Sequence, residues 1–149
     1  MRCVGIRRED KDRWEARVPL VPRDVASLLS DRRLSVTVQP STQRAFGDEE
    51  FTAAGARMDD DLSDREAVLG VKEMPLETFR QGVAYLFFSH TIKGQPYNMP
   101  MLRRMMERGA HLLDYERITD ERGARLISFS RFAGIAGALD TLWALGRRL

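Results

Sequence analysis

The chain has a single cysteine, Cys3, among its 149 residues. One thiol cannot close an internal disulfide, so a reducing compartment fits. No run of like charges and no basic stripe interleaved with aromatics accompanies the net charge of +2, which argues against nucleic acid as a partner. No stretch approaches the ~18 apolar residues of a membrane span, and no long apolar segment follows Met1, so the expected location is the cytosol, away from the membrane. G-x-G is absent, and so are the P-loop and G-x-S-x-G; the dinucleotide fingerprint is therefore missing. No Cys/His ligand spacing points to a metal. Lysine is scarce too: the 24 cationic residues include only Lys11, Lys72 and Lys93. Lysine loses its proton when desolvated and arginine does not, so the places where lysine persists draw attention, although codon bias accounts for the pattern equally well.

What is present reads as one domain of ordinary composition, 43% hydrophobic and 31% charged. Val83–Phe88 is an unbroken apolar and aromatic run, too short for a helix and suited to a strand buried on both faces. It stops at Ser89, and His90 follows. An imidazole thus stands just past the carboxyl end of a central strand, the edge of open α/β sheets where ligands bind.

Taken in order, Cys3–Ile6 predicts a first strand. Arg17 lies in an extended segment held by Pro19 and Pro22. A helix from Pro22 to about Asp31 follows, then a strand over Leu34–Val38. Asp48 is a candidate N-cap for a short helix over Glu49–Ala54. Arg57–Met58 makes a brief strand, and Ala67–Val71 a buried one ending in Lys72-Glu73. Leu76–Phe79 predicts a helical turn. Met99–Arg108 has helical periodicity and closes at Gly109. His111–Leu113 and Leu126–Phe129 read as strands, and a helix runs from about Arg131 to Leu149. Strands and helices alternate, which predicts a parallel α/β sheet of about five strands with helices on both faces.

In a parallel sheet, three strand ends bring polar groups to one edge: Lys72 and Glu73, then His90 and Lys93, then Glu116. Arg17 arrives there from the loop after the first strand. Each has an ordinary alternative. Arg17 suits a surface position or a forked grip on a carboxylate. Lys72 either snorkels to water or takes part in acid/base work. His90 either caps a helix start or moves protons near neutral pH. Glu73, Lys93 and Glu116 are surface charges singly; as a set they hold an ammonium group and tune their neighbours. His111 reads as structural.

The blocks G-I-R-R-E-D-K, W-E-A-R-V-P-L-V-P, L-G-V-K-E, Y-L-F-F-S-H-T-I-K-G-Q-P-Y-N-M-P, L-L-D-Y-E and F-A-G-I-A-G carry a resemblance. The chain from Val4 to Leu149 resembles the N-terminal domain of the alanine dehydrogenase and pyridine-nucleotide transhydrogenase superfamily. The H-T-I-K-G-Q…N-M-P block is most similar to the lysine–ketoglutarate reductase, or lysine-forming saccharopine dehydrogenase, branch. The resemblance implies a three-layer Rossmann-like or flavodoxin-like substrate domain over residues 1–149. Its helix at 131–149 would lead towards a nucleotide-binding domain that is absent here.

The same resemblance implies a set of roles. Arg17 would clamp a substrate carboxylate, and Lys72 with His90 would serve as the acid/base pair. Glu73, Lys93 and Glu116 would line the pocket. NAD or NADP would be bound mainly by the other domain, so this chain alone binds its amino acid or 2-oxo acid without turning it over. The expected reaction joins L-lysine and 2-oxoglutarate into saccharopine, or reverses it. A smaller amino acid, as in alanine dehydrogenase, and a non-catalytic ligand-sensing or assembly module are the alternatives. Homo-oligomerisation is left open.

Overall fold

The computed structural model describes residues 2–31 and 33–148. Six segments pair into one sheet: β1 (Arg2–Ile6), β2 (Leu34–Val38), β3 (Arg57–Met58), β4 (Ala67–Leu69), β5 (Ala84–Phe87) and β6 (His111–Asp114). All their pairings are parallel, in the order β3-β2-β1-β4-β5-β6. This is the strand order of dinucleotide-binding folds, with its reversal between β1 and β4. A parallel sheet of about five strands was expected, and six of the seven strand segments read from the sequence lie in it.

Register and alternation assign the two faces. Gly5, Val68, Tyr85 and Leu112 stand in register across four strands, and so share one face. Ile6 is level with Val38 and faces the other way. Two cores form accordingly. One gathers Val68, Phe79, Tyr85 and Phe87 with Met101 and Met105 from α3 (Met99–Arg108). The other gathers Ile6, Val36 and Val38 with Val25 from α1 (Pro22–Leu29) and Phe51 from α2 (Asp48–Ala53). The three-layer α/β architecture follows, because each face of a parallel sheet must be covered.

Tyr85 anchors the first core. Its ring meets Phe79 edge-on at 5.0 Å, and its hydroxyl donates to the Thr78 carbonyl at 2.6 Å and accepts from the Arg80 N–H at 3.0 Å. A buried tyrosine needs such partners for its polar end.

Several boundaries differ from the sequence reading. α1 stops at Leu29, where Ser30 turns its hydroxyl onto the Ser27 carbonyl at 2.6 Å. Asp48 is the first residue of α2 rather than its cap: its carboxylate takes the Ser41 N–H at 3.1 Å and pairs with Arg44. Gly47 holds the cap position, with its N–H given to Glu50 at 2.9 Å.

The chain divides into two compact units, one ending at Asp114 and the second beginning at Tyr115. In the second unit Leu126–Phe129 is not a strand. Instead an antiparallel bridge joins Thr119 to Arg125 around a turn in which Asp120 accepts the N–H groups of Arg122 and Ala124 at 2.9 and 2.8 Å. Leu126 is 64% exposed, and no strand flanks it. α4 (Ser130–Gly146) then runs through the expected helical segment, of which Leu149 lies outside the described residues.

Candidate functional site

The strand order reverses between β1 and β4, and the carboxyl edge at such a reversal is where open α/β sheets bind ligands. After β1 the chain continues as Arg7-Arg8-Glu9. Arg7 keeps sheet pairing for one more residue, its N–H reaching the Leu69 carbonyl at 2.9 Å. Glu9 then turns inwards and is buried. Its carboxylate accepts the backbone N–H of Val71 at 2.7 Å and of Lys72 at 2.9 Å, bridging the ends of the two strands. Burial pushes the Glu9 carboxyl above the ordinary glutamate range, while those two hydrogen bonds and Arg7 pull it back. Gly70 makes room for this approach: a Cβ there would stand 2.9 Å from the Met74 methyl and 3.3 Å from a Glu9 oxygen.

Lys72 and His90 emerge from adjacent strand ends. β4 and β5 stay paired past their formal limits, with the Phe88 N–H on the Val71 carbonyl at 3.1 Å. Both residues are half-buried. His90 has φ 54 and ψ 16, the only non-glycine residue with positive φ among those described. Its ring lies nearly parallel to Phe88, 6.3 Å away at 19°. Lys93 ends the 3-10 turn Thr91–Lys93 that follows and is exposed.

Arg17 is held by Glu15. Its Nε and Nη2 donate to the two Glu15 oxygens at 2.7 and 2.5 Å, and its own backbone N–H adds a third bond at 3.1 Å. The Arg17 hydrogen bond holds the Glu15 carboxyl below its ordinary range, helped by the field of Lys72. A hollow of about 440 Å³ opens beside Arg17, lined by Asp12, Trp14, Glu15, Ala16 and Ala45. Glu73 is turned towards Lys11, 3.5 Å away.

One amide braces the loop that presents these groups. Gln43 Nε2 donates to the carbonyls of Glu9, Asp12 and Glu15 at 3.2, 3.2 and 3.0 Å. Irregular backbone is thereby satisfied without a helix or strand.

The structure therefore brings Lys72, His90, Glu73 and Arg17 to the carboxyl edge of the first unit, with Lys93 one turn beyond. Glu116 belongs to the second unit, where it pairs with Arg125 at 3.0 Å. Glu9, Glu15 and Gln43 escaped the sequence reading. Glu9 and Glu15 sit in a highly charged stretch that reads as solvated surface, and only the short loop after a strand hinted otherwise.

A nicotinamide dinucleotide does not fit the strand reversal as this chain builds it. The turn after β1 has no glycine, and Glu9 already occupies the two N–H groups at the strand reversal. A pyrophosphate there would face a buried carboxylate. Among the described residues no group of His, Cys, Asp and Glu is placed to hold a metal ion, and no helix is long and apolar enough to cross a membrane.

A parallel α/β domain with a lysine, a histidine and a buried glutamate at its strand ends is thus the class defined by the fold and the site. Residues 5–136 match the family model described as alanine dehydrogenase/PNT, N-terminal domain, and the chain belongs to that family. It is similar to the alpha-aminoadipic semialdehyde synthase of Arabidopsis thaliana (42% identity, 97% of this chain and 14% of the relative). The mitochondrial protein of that name from Bos taurus is 40% identical over 98% of this chain and 16% of the relative. The NAD(+), L-lysine-forming saccharopine dehydrogenase of Emericella nidulans is 37% identical over 91% of this chain and 37% of the relative. The chain thus spans well under half the length of these proteins. Among solved structures, an L-alanine dehydrogenase matches with a TM-score of 0.69 at 19% identity, covering 82% of this chain and 34% of that one. A transhydrogenase from Sinorhizobium meliloti matches with 0.67 at 21%, covering 80% and 36%.

Proposed function

We propose that this chain is the substrate-binding part of an amino-acid oxidoreductase of the saccharopine dehydrogenase or lysine–ketoglutarate reductase type. The observation that carries the reading is the placement of Lys72 and His90 on neighbouring strand ends beside the strand reversal. The relatives that act on saccharopine by name support the choice of substrate.

In this reading Arg17 receives a substrate carboxylate, with Glu15 fixing the plane of its guanidinium. Lys72 and His90 exchange protons at the substrate nitrogen and the carbon it joins, and a positioned acid/base pair contributes ~10²–10⁴-fold. Glu73 and Lys93 set the local charge. Hydride chemistry would belong to NAD or NADP held by a separate domain. α4 would dock on that domain: Phe132, Leu139, Leu142 and Trp143 are each more than 60% exposed, and a helix apolar all round is normally covered.

Isothermal titration with saccharopine and with 2-oxoglutarate tests the reading, with pyruvate as the comparator for a smaller substrate. Heat with saccharopine that disappears in Arg17→Ala supports it. Equal heats from the two proteins would remove the carboxylate grip.

A further inference from the structure

His90 is an anomaly that the proposed chemistry does not explain. A histidine in the left-handed region is disfavoured by about 5- to 30-fold against its ordinary conformation, and glycine would take the position freely. An outlier of this kind persists only where its surroundings impose it, and such outliers gather at functional sites.

The surroundings are visible. Ser89 is fully buried, and its hydroxyl donates to Asp114 Oδ2 at 2.5 Å, across from the end of β5 to the end of β6. Its one proton is spent there, so the 2.8 Å contact with Thr91 Oγ1 has the threonine as donor. The Thr91 backbone N–H fills the remaining lone pair at 3.2 Å. The serine oxygen is therefore saturated, and two of its three bonds reach over His90 to the next residue. A side-chain bond from one residue to the N–H two positions on fixes a tight turn. Asp114 shares a sheet face with Phe87, and Ser89 lies two residues beyond Phe87, so the aspartate meets the serine without leaving that face.

We propose that Ser89, Thr91 and Asp114 form a clamp that holds His90 in its left-handed conformation and so act as positioning residues for its imidazole. Asp114 fixes Ser89 to the sheet, and Ser89 fixes Thr91. His90, caught between them, has its backbone reversed and its ring laid along Phe88. The value of the clamp to catalysis rests on the acid/base reading of His90 given above; its existence does not.

The intact chain contains two histidines, which makes the test direct. His111 opens β6 and serves as the internal reference. By NMR, Thr91→Val and Ser89→Ala are expected to move the His90 ring resonance away from the position set by Phe88, with His111 unchanged. Thr91→Ser, which keeps the hydroxyl, is expected to leave it in place. In urea unfolding, Ser89→Ala is expected to lower the folding equilibrium constant at least ~5-fold more in a His90→Gly background than in the native sequence, because only the native sequence recovers the left-handed strain when the clamp is lost. A His90 resonance indifferent to both variants, or equal losses in the two backgrounds, would overturn the clamp. Should Ser89→Ala fail to fold, Thr91→Val in the two backgrounds gives the same comparison. Neither readout involves saccharopine, so a chain that binds no substrate would refute the proposed function and leave the clamp to be judged alone.

Discussion

Glu9 holds the backbone of Lys72 from across the strand reversal, its carboxylate 2.9 Å from the Lys72 N–H and 2.7 Å from that of Val71. Two donors need two acceptor oxygens. Glu9→Gln supplies one and turns an NH2 group against the other donor. The expected loss is about 1–3 kcal/mol of stability, the penalty for an unsatisfied buried group. Urea unfolding measures it, and the Lys72 amide resonance should shift in the same variant.

Acidification should act on the two loop glutamates in opposite senses. Glu15 has a lowered folded-state pKa, so its ion pair contributes fully above the ordinary glutamate value, about 4.3. That contribution is lost as pH falls through the lowered value. Glu9 has a raised folded-state pKa, so the folded chain binds its proton more tightly. Stability linked to Glu9 therefore rises as pH falls from the raised value towards the ordinary one. Unfolding curves from pH 3 to 7 for the native chain, Glu15→Gln and Glu9→Gln should separate the two: the Glu15→Gln difference vanishes at the acid end.

Replacing His90 distinguishes backbone strain from chemistry. His90→Ala keeps the left-handed penalty and His90→Gly removes it. The glycine variant is expected to be more stable than the alanine variant by about 1–2 kcal/mol. If the two unfold at the same urea concentration, the positive φ carries no strain. Both should lose turnover alike once a nucleotide-binding domain is supplied.

Tyr85→Phe probes the core on the α3 side. The change leaves the ring contacts with Phe79 but strands the Thr78 carbonyl and the Arg80 N–H. An expected loss of about 1–3 kcal/mol follows if water does not enter. Thermal unfolding reads it, with amide exchange at Arg80 as the local report.

Much of the frame was legible because pattern and burial agree. Leu34–Val38, Arg57–Met58 and Met99–Arg108 appear in the structure with the limits read from their apolar spacing and the closing Gly109. Lys72 and His90 were placed at strand ends because buried runs stop sharply at polar residues. Leu126–Phe129 misled for a physical reason: four residues with apolar ends make a strand only beside a partner, and the chain supplies a turn there instead. The Arg17–Glu15 pair and the Glu9 bridge stayed hidden because a charged loop looks the same whether its carboxylates face water or backbone N–H groups. Gln43 was invisible for a related cause, since its three carbonyl partners lie about thirty positions away.

That distant amide makes the site sensitive to a single atom. Exchanging its nitrogen for oxygen, as in Gln43→Glu or on spontaneous deamidation, alters neither size nor shape. It would nonetheless confront three carbonyl oxygens with an anion, and attraction at each would become repulsion. The segment carrying Glu9 and Glu15 would then be pushed off its support while the sheet beneath stayed folded, so ageing of the purified protein should show first as lost ligand affinity and only later as lost structure.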